Sequence, residues 1–286
     1  MIEKLNAYAI RCNYLNSKLD PKTVESFQEE VMTWWKNNAR DLPWRKEPTP
    51  YQVMVSEIML QQTQVSRVTS KFSEFMEAFP TIDSLAKAKT KHLLQVWSGL
   101  GYNRRAIWLK EAAKQIAERG EFPKTEEELR NLKGVGPYTS RSILIFAFNQ
   151  DLAAVDTNIR RVLIASGFAD ENMSDKEIQL IADKVLLRGQ SRDWHNALMD
   201  YGSLVLTSNA TGIAPTSTQS CFEGSSRQIR GAVTRVLTES DELSIEELKS
   251  LLECEINEAE LKDIVHQLIA DGLVKLSSGN RYRIVD

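Results

Sequence analysis

Two carboxylates in this sequence are placed to do chemistry rather than to dissolve a surface. Glu57 sits in Pro50-Tyr51-Gln52-Val53-Met54-Val55-Ser56-Glu57-Ile58-Met59-Leu60, with no basic residue within a helical turn. Val53, Met54, Ile58 and Leu60 predict a helix apolar enough to be buried. Burial without a cation raises a carboxyl pKa, keeping part of it protonated near neutrality and able to donate a proton. A structural hydrogen bond to a neighbouring segment is the other reading. Asp156 follows the apolar run Leu152-Ala153-Ala154-Val155 and precedes Asn158, Arg160 and Arg161. At a helix start, such an Asp serves as a cap or as a charge held for a site.

A third feature lies between them. In Gly134-Val135-Gly136-Pro137-Tyr138-Thr139, two glycines around one residue permit a tight turn with outward-facing backbone N–H groups, a nest for a phosphate oxygen. Pro137 and Thr139 fit a helix start that Ser142, Ile143, Phe146 and Ala147 continue, adding the field of a helix N-terminus. A plain helix–helix turn carries the same signature.

The elements holding these groups are short helices. Val24, Phe27, Val31, Trp34 and Trp35 predict one over 23–38, broken at Asp41-Leu42-Pro43-Trp44-Arg45. Trp44 and Arg45 offer a stacking surface and a five-donor cation, for a base or for packing. Gln61, Gln62 and Gln64 close the Glu57 helix with amides that fit a vacated base-pair position or ordinary polar surface. Trp97-Ser98-Gly99-Leu100-Gly101-Tyr102 presents an aromatic on a glycine turn, suited to wedging into a base stack. Beyond it, Arg104, Arg105 and Lys110 read as phosphate contacts or as a solvated helix face.

Bulk properties exclude several classes. The net charge is −3, and residues 227–286 carry 8 basic and 12 acidic side chains against 28 and 27 in the rest. Any nucleic-acid binding must therefore use a local patch and backbone N–H groups rather than a global positive field. Cys12, Cys221 and Cys254 are too few and too scattered for a disulfide framework or a four-ligand metal site. Nowhere do eighteen apolar residues run together, so a cytoplasmic protein without a membrane anchor is expected.

Taken together, these strings resemble the helix-hairpin-helix DNA glycosylase superfamily, and within it the adenine DNA glycosylases that excise adenine mispaired with 8-oxoguanine or guanine. Leu42-Pro43-Trp44-Arg45, the run from Ser56 to Val65, Gly99-Leu100-Gly101-Tyr102, the hairpin from Gly134 to Thr139 and Val155-Asp156-Thr157-Asn158 stand in the family's order. The resemblance implies a monofunctional enzyme of base excision repair, monomeric and nucleoid-associated, acting on mismatched or oxidised double-stranded DNA. It implies that Glu57 protonates adenine, that Asp156 stabilises the cationic sugar, and that Asn158 orients Asp156. Trp44, Arg45, Leu60 and Asp200 would line the base pocket. Gln61, Gln62, Tyr102, Arg104, Gly134, Val135, Gly136 and Thr139 would meet DNA, with Tyr102 as wedge and Gln62 in the vacated gap. Tyr138 stands where lyase relatives place a Schiff-base lysine, so strand cleavage should be weak or absent. A thymine or uracil mismatch glycosylase and a catalytically silent mismatch-binding protein are the alternatives.

Family members usually continue into a four-cysteine loop holding an iron–sulfur cluster, but Leu204-Val205-Leu206-Thr207-Ser208-Asn209-Ala210-Thr211-Gly212 has no cysteine. A cluster-free protein is expected, with the hairpin carbonyls able to hold a monovalent cation, as in related hairpins. The predicted fold is mainly α: a two-subdomain helix-hairpin-helix glycosylase domain over 20–206, a linker or loop remnant over 207–226, and a small winged-helix-like α+β domain over 227–286. In that last domain, helices are expected through Leu237, from Ser244 to Leu252 and from Asn257 to Ala270, before a hairpin around Ser278-Gly279-Asn280. Its acidic recognition-helix position argues against the major groove, leaving Arg281 and Arg283 as its phosphate contacts.

Overall fold

The computed structural model describes residues 19–215 and 221–286. Its helices, in chain order, are α1 (Pro21–Asn38), α2 (Pro50–Leu60), α3 (Val65–Ala78), α4 (Ile82–Ala86), α5 (Thr90–Trp97), α6 (Arg104–Arg119), α7 (Glu126–Arg130) and α8 (Pro137–Phe148). They continue as α9 (Thr157–Ala165), α10 (Asp175–Lys184), α11 (Ser191–Leu204), α12 (Ser208–Thr211), α13 (Ser226–Glu239), α14 (Ile245–Leu251) and α15 (Glu258–Ala270). An antiparallel hairpin follows, β1 (Val274–Ser277) and β2 (Arg281–Ile284), with Val274 opposite Ile284. Contacts gather the described residues into two units, each from separated stretches: 19–41 with 140–215, and 42–139 with 221–286.

In the first unit, α1 starts on Asp20, whose side chain accepts the Thr23 N–H at 3.2 Å, with Pro21 in the first turn. Its buried face presents Phe27, whose ring centroid lies 4.9 Å from Phe168 and 5.6 Å from Trp194. Trp194, Ala197 and Leu198 of α11 close against Ile159, Val162 and Leu163 of α9, one apolar stripe at helical spacing facing another.

In the second unit, α2 is buried along most of its length, which its nearly unbroken apolar run requires. Thr49 and Gln52 form a reciprocal capping box at its start, and the Tyr51 hydroxyl donates to the Phe79 carbonyl at 2.8 Å. Phe72 and Phe75 of α3 are buried, the latter 5.9 Å from the Trp97 ring.

Residues 226–284 belong to this same unit. The helix starts expected at Ser244 and Asn257 are the N-caps of α14 and α15, each accepting a backbone N–H three residues on. Leu243 bridges to Tyr282 beside the hairpin. From α5, the Lys91 ammonium donates to the Ser240 carbonyl at 2.9 Å and the Gln95 amide to the Thr238 carbonyl at 2.8 Å. Both therefore satisfy carbonyls that the end of α13 leaves open. In the expected linker, Thr207 caps the short α12, and residues 216–220 lie outside the described residues.

Candidate active site

Asp156 is the N-cap of α9, with Oδ1 accepting the Ile159 N–H at 2.7 Å and Oδ2 accepting from the Asn158 amide at 2.9 Å. The capping reading therefore holds for this carboxylate. Desolvation pushes it above the ordinary Asp value, and its hydrogen bonds and the positive charge of Arg161 pull the other way. Behind Asn158 stands Arg161, buried on the inward face of α9. Its Nη2 donates to Asn158 Oδ1 at 2.8 Å and to the Gly202 carbonyl at 2.6 Å, and its Nε to the Leu206 carbonyl at 2.6 Å. Gly202 lets α11 approach this far: a Cβ there would lie 2.9 Å from the Asn158 carbonyl oxygen.

The segment before Asp156 is held by a residue that sequence reasoning left without a role. His195 accepts the Ala154 N–H on Nε2 at 3.1 Å, so the proton sits on Nδ1, which donates to the Ser191 carbonyl at 2.7 Å. Burial pushes this imidazole down to about 4, and it is neutral at physiological pH. Its signal was the apolar stripe of α11, which carries His195 inward beside Trp194.

At the hairpin, only Gly134 adopts a left-handed φ, +79°, and a Cβ there would lie 2.9 Å from the Trp108 Cβ. At Gly136 φ is not left-handed and a Cβ would meet nothing within 4 Å, so the protein's own packing does not require glycine there. Val135 is buried, Tyr138 is half-buried, and Pro137 begins α8 as predicted. The Gln61 amide donates to the Thr139 hydroxyl at 3.3 Å, tying the end of α2 to the start of α8.

Glu57 lies buried on α2 and Leu60 is half-buried at its end. Past that end, the chain turns at Gln62, exposed with φ +60°, and Tyr102 is exposed with φ +47°. Both side chains were expected to meet DNA, and both stand in left-handed turns that non-glycine residues adopt only under constraint. The constraint is Arg105. Its Nη1 donates to the carbonyls of Ile58 and Met59, each at 2.8 Å, and of Gln61. Its Nη2 donates to the Thr63 hydroxyl at 2.9 Å and to the carbonyls of Leu100 and Gly101 at 3.1 and 3.0 Å. One buried guanidinium thus closes α2 and fastens the Gln62 turn to the Tyr102 turn, and desolvation lowers its pKa to about 10. Arg105 is therefore not a phosphate contact; nor is Lys110, buried and donating to the Thr90 hydroxyl at 3.0 Å.

The remaining predicted residues are held by their own neighbours. Trp44 is buried edge-on to Phe72, 5.7 Å between centroids, in the packing role that was its alternative; Arg45 is half-buried. Asp200 is fully buried, accepting from the Trp35 indole at 3.0 Å, the Arg40 backbone N–H at 3.0 Å and Arg40 Nε at 2.5 Å. It anchors the chain after α1 to α11. Arg104 is exposed, 4.9 Å over the Trp108 ring and 3.1 Å from Asp271. The arginines of the C-terminal hairpin are already engaged, Arg281 with Glu242 and Glu247 and Arg283 with Asp286. Cys221 is exposed and Cys254 half-buried; Cys12 lies outside the described residues. No helix among the described residues is long and apolar enough to cross a membrane.

The family model of the HhH-GPD superfamily base excision DNA repair proteins matches residues 55–187, a span holding Glu57, the hairpin and Asp156. A solved thermostable thymine-DNA glycosylase superposes with a TM-score of 0.62 at 27% identity, covering 65% of this chain and 89% of its own. An adenine DNA glycosylase of Mycolicibacterium smegmatis is 31% identical over 89% of this chain and 94% of its own length. That of Rattus norvegicus is 36% identical over 66% of this chain and 39% of its own. The chain belongs to the adenine DNA glycosylase family of that superfamily.

Proposed function

We propose that this protein is a DNA glycosylase that hydrolyses the N-glycosidic bond of adenine mispaired with 8-oxoguanine or guanine in double-stranded DNA. The observation that carries this reading is the 31% identity shared with a bacterial adenine DNA glycosylase along nearly the full length of both chains. The enzyme acts as a monomer on a base taken out of the stack, because the glycosidic bond is out of reach within it. Glu57 donates a proton to adenine N7, the C1′–N9 bond breaks with its electrons leaving on the base, and the sugar becomes an oxocarbenium-like cation. Asp156 stabilises that cation, as one carboxylate does in glycoside hydrolysis. Water then adds at C1′, and its proton restores the carboxyl. Asn158 and Arg161 keep Asp156 aimed.

Tyr138 is a phenol and forms no imine with the product sugar, so the reading is of a monofunctional enzyme. Exposed Gln62 and Tyr102 fit the vacated gap and the wedge, and the Gly134-Val135-Gly136 turn fits a DNA phosphate. We also read the protein as cluster-free: three cysteines cannot supply four thiolates, and no step above uses a cluster. A monovalent cation at the hairpin carbonyls is compatible with this reading.

The likeness to a thymine-DNA glycosylase favours a second substrate reading. Single-turnover base release from duplexes carrying A opposite 8-oxoguanine, A opposite G, T opposite G and U opposite G separates the two. Adenine release alone is expected. Thymine or uracil release would keep the fold and discard the substrate.

A further inference from the structure

The C-terminal 60 residues have no part in the chemistry above, yet they are fastened to both sides of the Tyr102 turn. Before the turn, Lys91 and Gln95 hold the end of α13. After it, Arg104 pairs at 3.1 Å with Asp271, which also binds Arg230 of α13. At the turn itself, the Arg227 Nη1 donates to the Tyr102 hydroxyl at 3.0 Å, with its guanidinium carbon 5.9 Å from the ring centroid. Arg105 lies 5.4 Å from that same centroid. Tyr102 thus meets one guanidinium from α6 and a second at the start of α13.

We propose that Arg227 is a positioning residue for Tyr102, making the C-terminal region part of the machinery that opens DNA. This rests on the reading of Tyr102 as the side chain that enters the stack. A left-handed tyrosine on a glycine turn is costly to hold and has other conformations open to it. Arg105 fixes the backbone of the turn, through the carbonyls of Leu100 and Gly101, and lies near the ring, while the hydroxyl takes its hydrogen bond from Arg227. Arg227 supplies the missing restraint by a charge-assisted hydrogen bond to the hydroxyl and proximity to the ring. Ordering the side chain before DNA arrives removes an entropy cost that would otherwise fall on the opening step. Because Arg227 lies on α13, the restraint acts only while α13 is docked on α5, which explains why an acidic domain poorly suited to phosphates is held so firmly here.

The test uses the full-length protein and an A-opposite-G duplex with 2-aminopurine beside the mismatch. Fluorescence reports base-pair opening, and adenine release is followed in the same single turnover. Parent, Arg227→Ala, Arg227→Lys, Tyr102→Phe and the Arg227→Ala/Tyr102→Phe double variant are compared. Arg227→Ala and Tyr102→Phe should each slow opening by roughly fivefold, the worth of one hydrogen bond. The double variant should be no slower than either, and Arg227→Lys, which keeps a donor, should recover much of the rate. Opening at the parental rate in Arg227→Ala, or effects that multiply in the double variant, would overturn the proposal. Faster opening would overturn it too, showing a latch that holds the tyrosine back. Tyr102→Ala separates the underlying reading: if it alone opens DNA normally, Tyr102 is not the wedge, whereas a severe loss there with Arg227→Ala unaffected removes only the role of Arg227.

Discussion

Asp156 joins two demands in one side chain. As a cap it satisfies the Ile159 N–H, and as a desolvated carboxyl with a raised pKa it costs the fold free energy at neutral pH. The sign follows from the direction: a carboxyl whose folded pKa lies above its unfolded value favours the folded state in acid and loses that contribution as pH rises through the folded pKa. Asp156→Asn keeps a capping oxygen and removes the charge. Its melting temperature at pH 7 should equal or exceed the parent's, while single-turnover adenine release falls by on the order of 10²–10⁴-fold. A variant that excised at the parental rate would exclude Asp156 from the chemistry. The residue and its place before a helix were legible in the sequence. The clamp behind it was not, because nothing in Asn158-Ile159-Arg160-Arg161 says which of two adjacent arginines turns inward until α11 and Gly202 are packed against α9.

At the scale of elements, buried polar side chains set the ends of helices. Arg105 donates to the carbonyls of Ile58, Met59 and Gln61 that α2 leaves unpaired at its end. Lysine carries the charge without the planar fork and cannot serve both turns. Arg105→Lys should therefore lower stability by about 2–4 kcal/mol in denaturant unfolding, because buried carbonyls lose charged donors. His195 performs a similar service for the segment entering α9. With its folded pKa near 4 and an ordinary value of 6.5 unfolded, the stability it supports is fully present above 6.5 and is lost as pH falls toward 4. Melting temperature should drop across that window, and His195→Gln, which has no titrating ring, should flatten the drop. In the sequence, Arg105 looked like a surface cation beyond Tyr102. A helix start shows its cap in the residue types, whereas a helix end satisfied from another helix shows nothing locally.

For the whole molecule, charge and connectivity matter more than any one contact. The sequence predicts a glycosylase domain over 20–206, a linker over 207–226 and a last domain over 227–286; among the described residues, contacts group 221–286 with 42–139 and 19–41 with 140–215. The net charge is −3, and among the described residues Arg281 and Arg283 pair with neighbouring acids while Arg104 faces Asp271. Affinity for duplex DNA should thus depend on salt with a slope of only a few phosphate contacts, each contributing roughly −0.9 in log–log form. Titrations of a non-cleavable mismatch duplex between low and moderate salt check this. A slope near that of ten contacts would reveal a positive surface that neither the charge balance nor the ion pairs display.

The sequence by itself determined the helical class and the family, and it placed Glu57 in a buried helix, Asp156 at a helix start and Tyr102 on a glycine turn. Each of these is written in local residue types, in a short spacing, or in motifs that hold their order along the chain. Only the tertiary structure decided which polar residues are structural. Arg105, Arg161, His195 and Asp200 have the composition of site residues, and their partners are backbone carbonyls, N–H groups and side chains supplied mostly by other elements. A buried polar group is defined by what packs against it, and in a fold gathered from separated stretches those partners are distant in the chain.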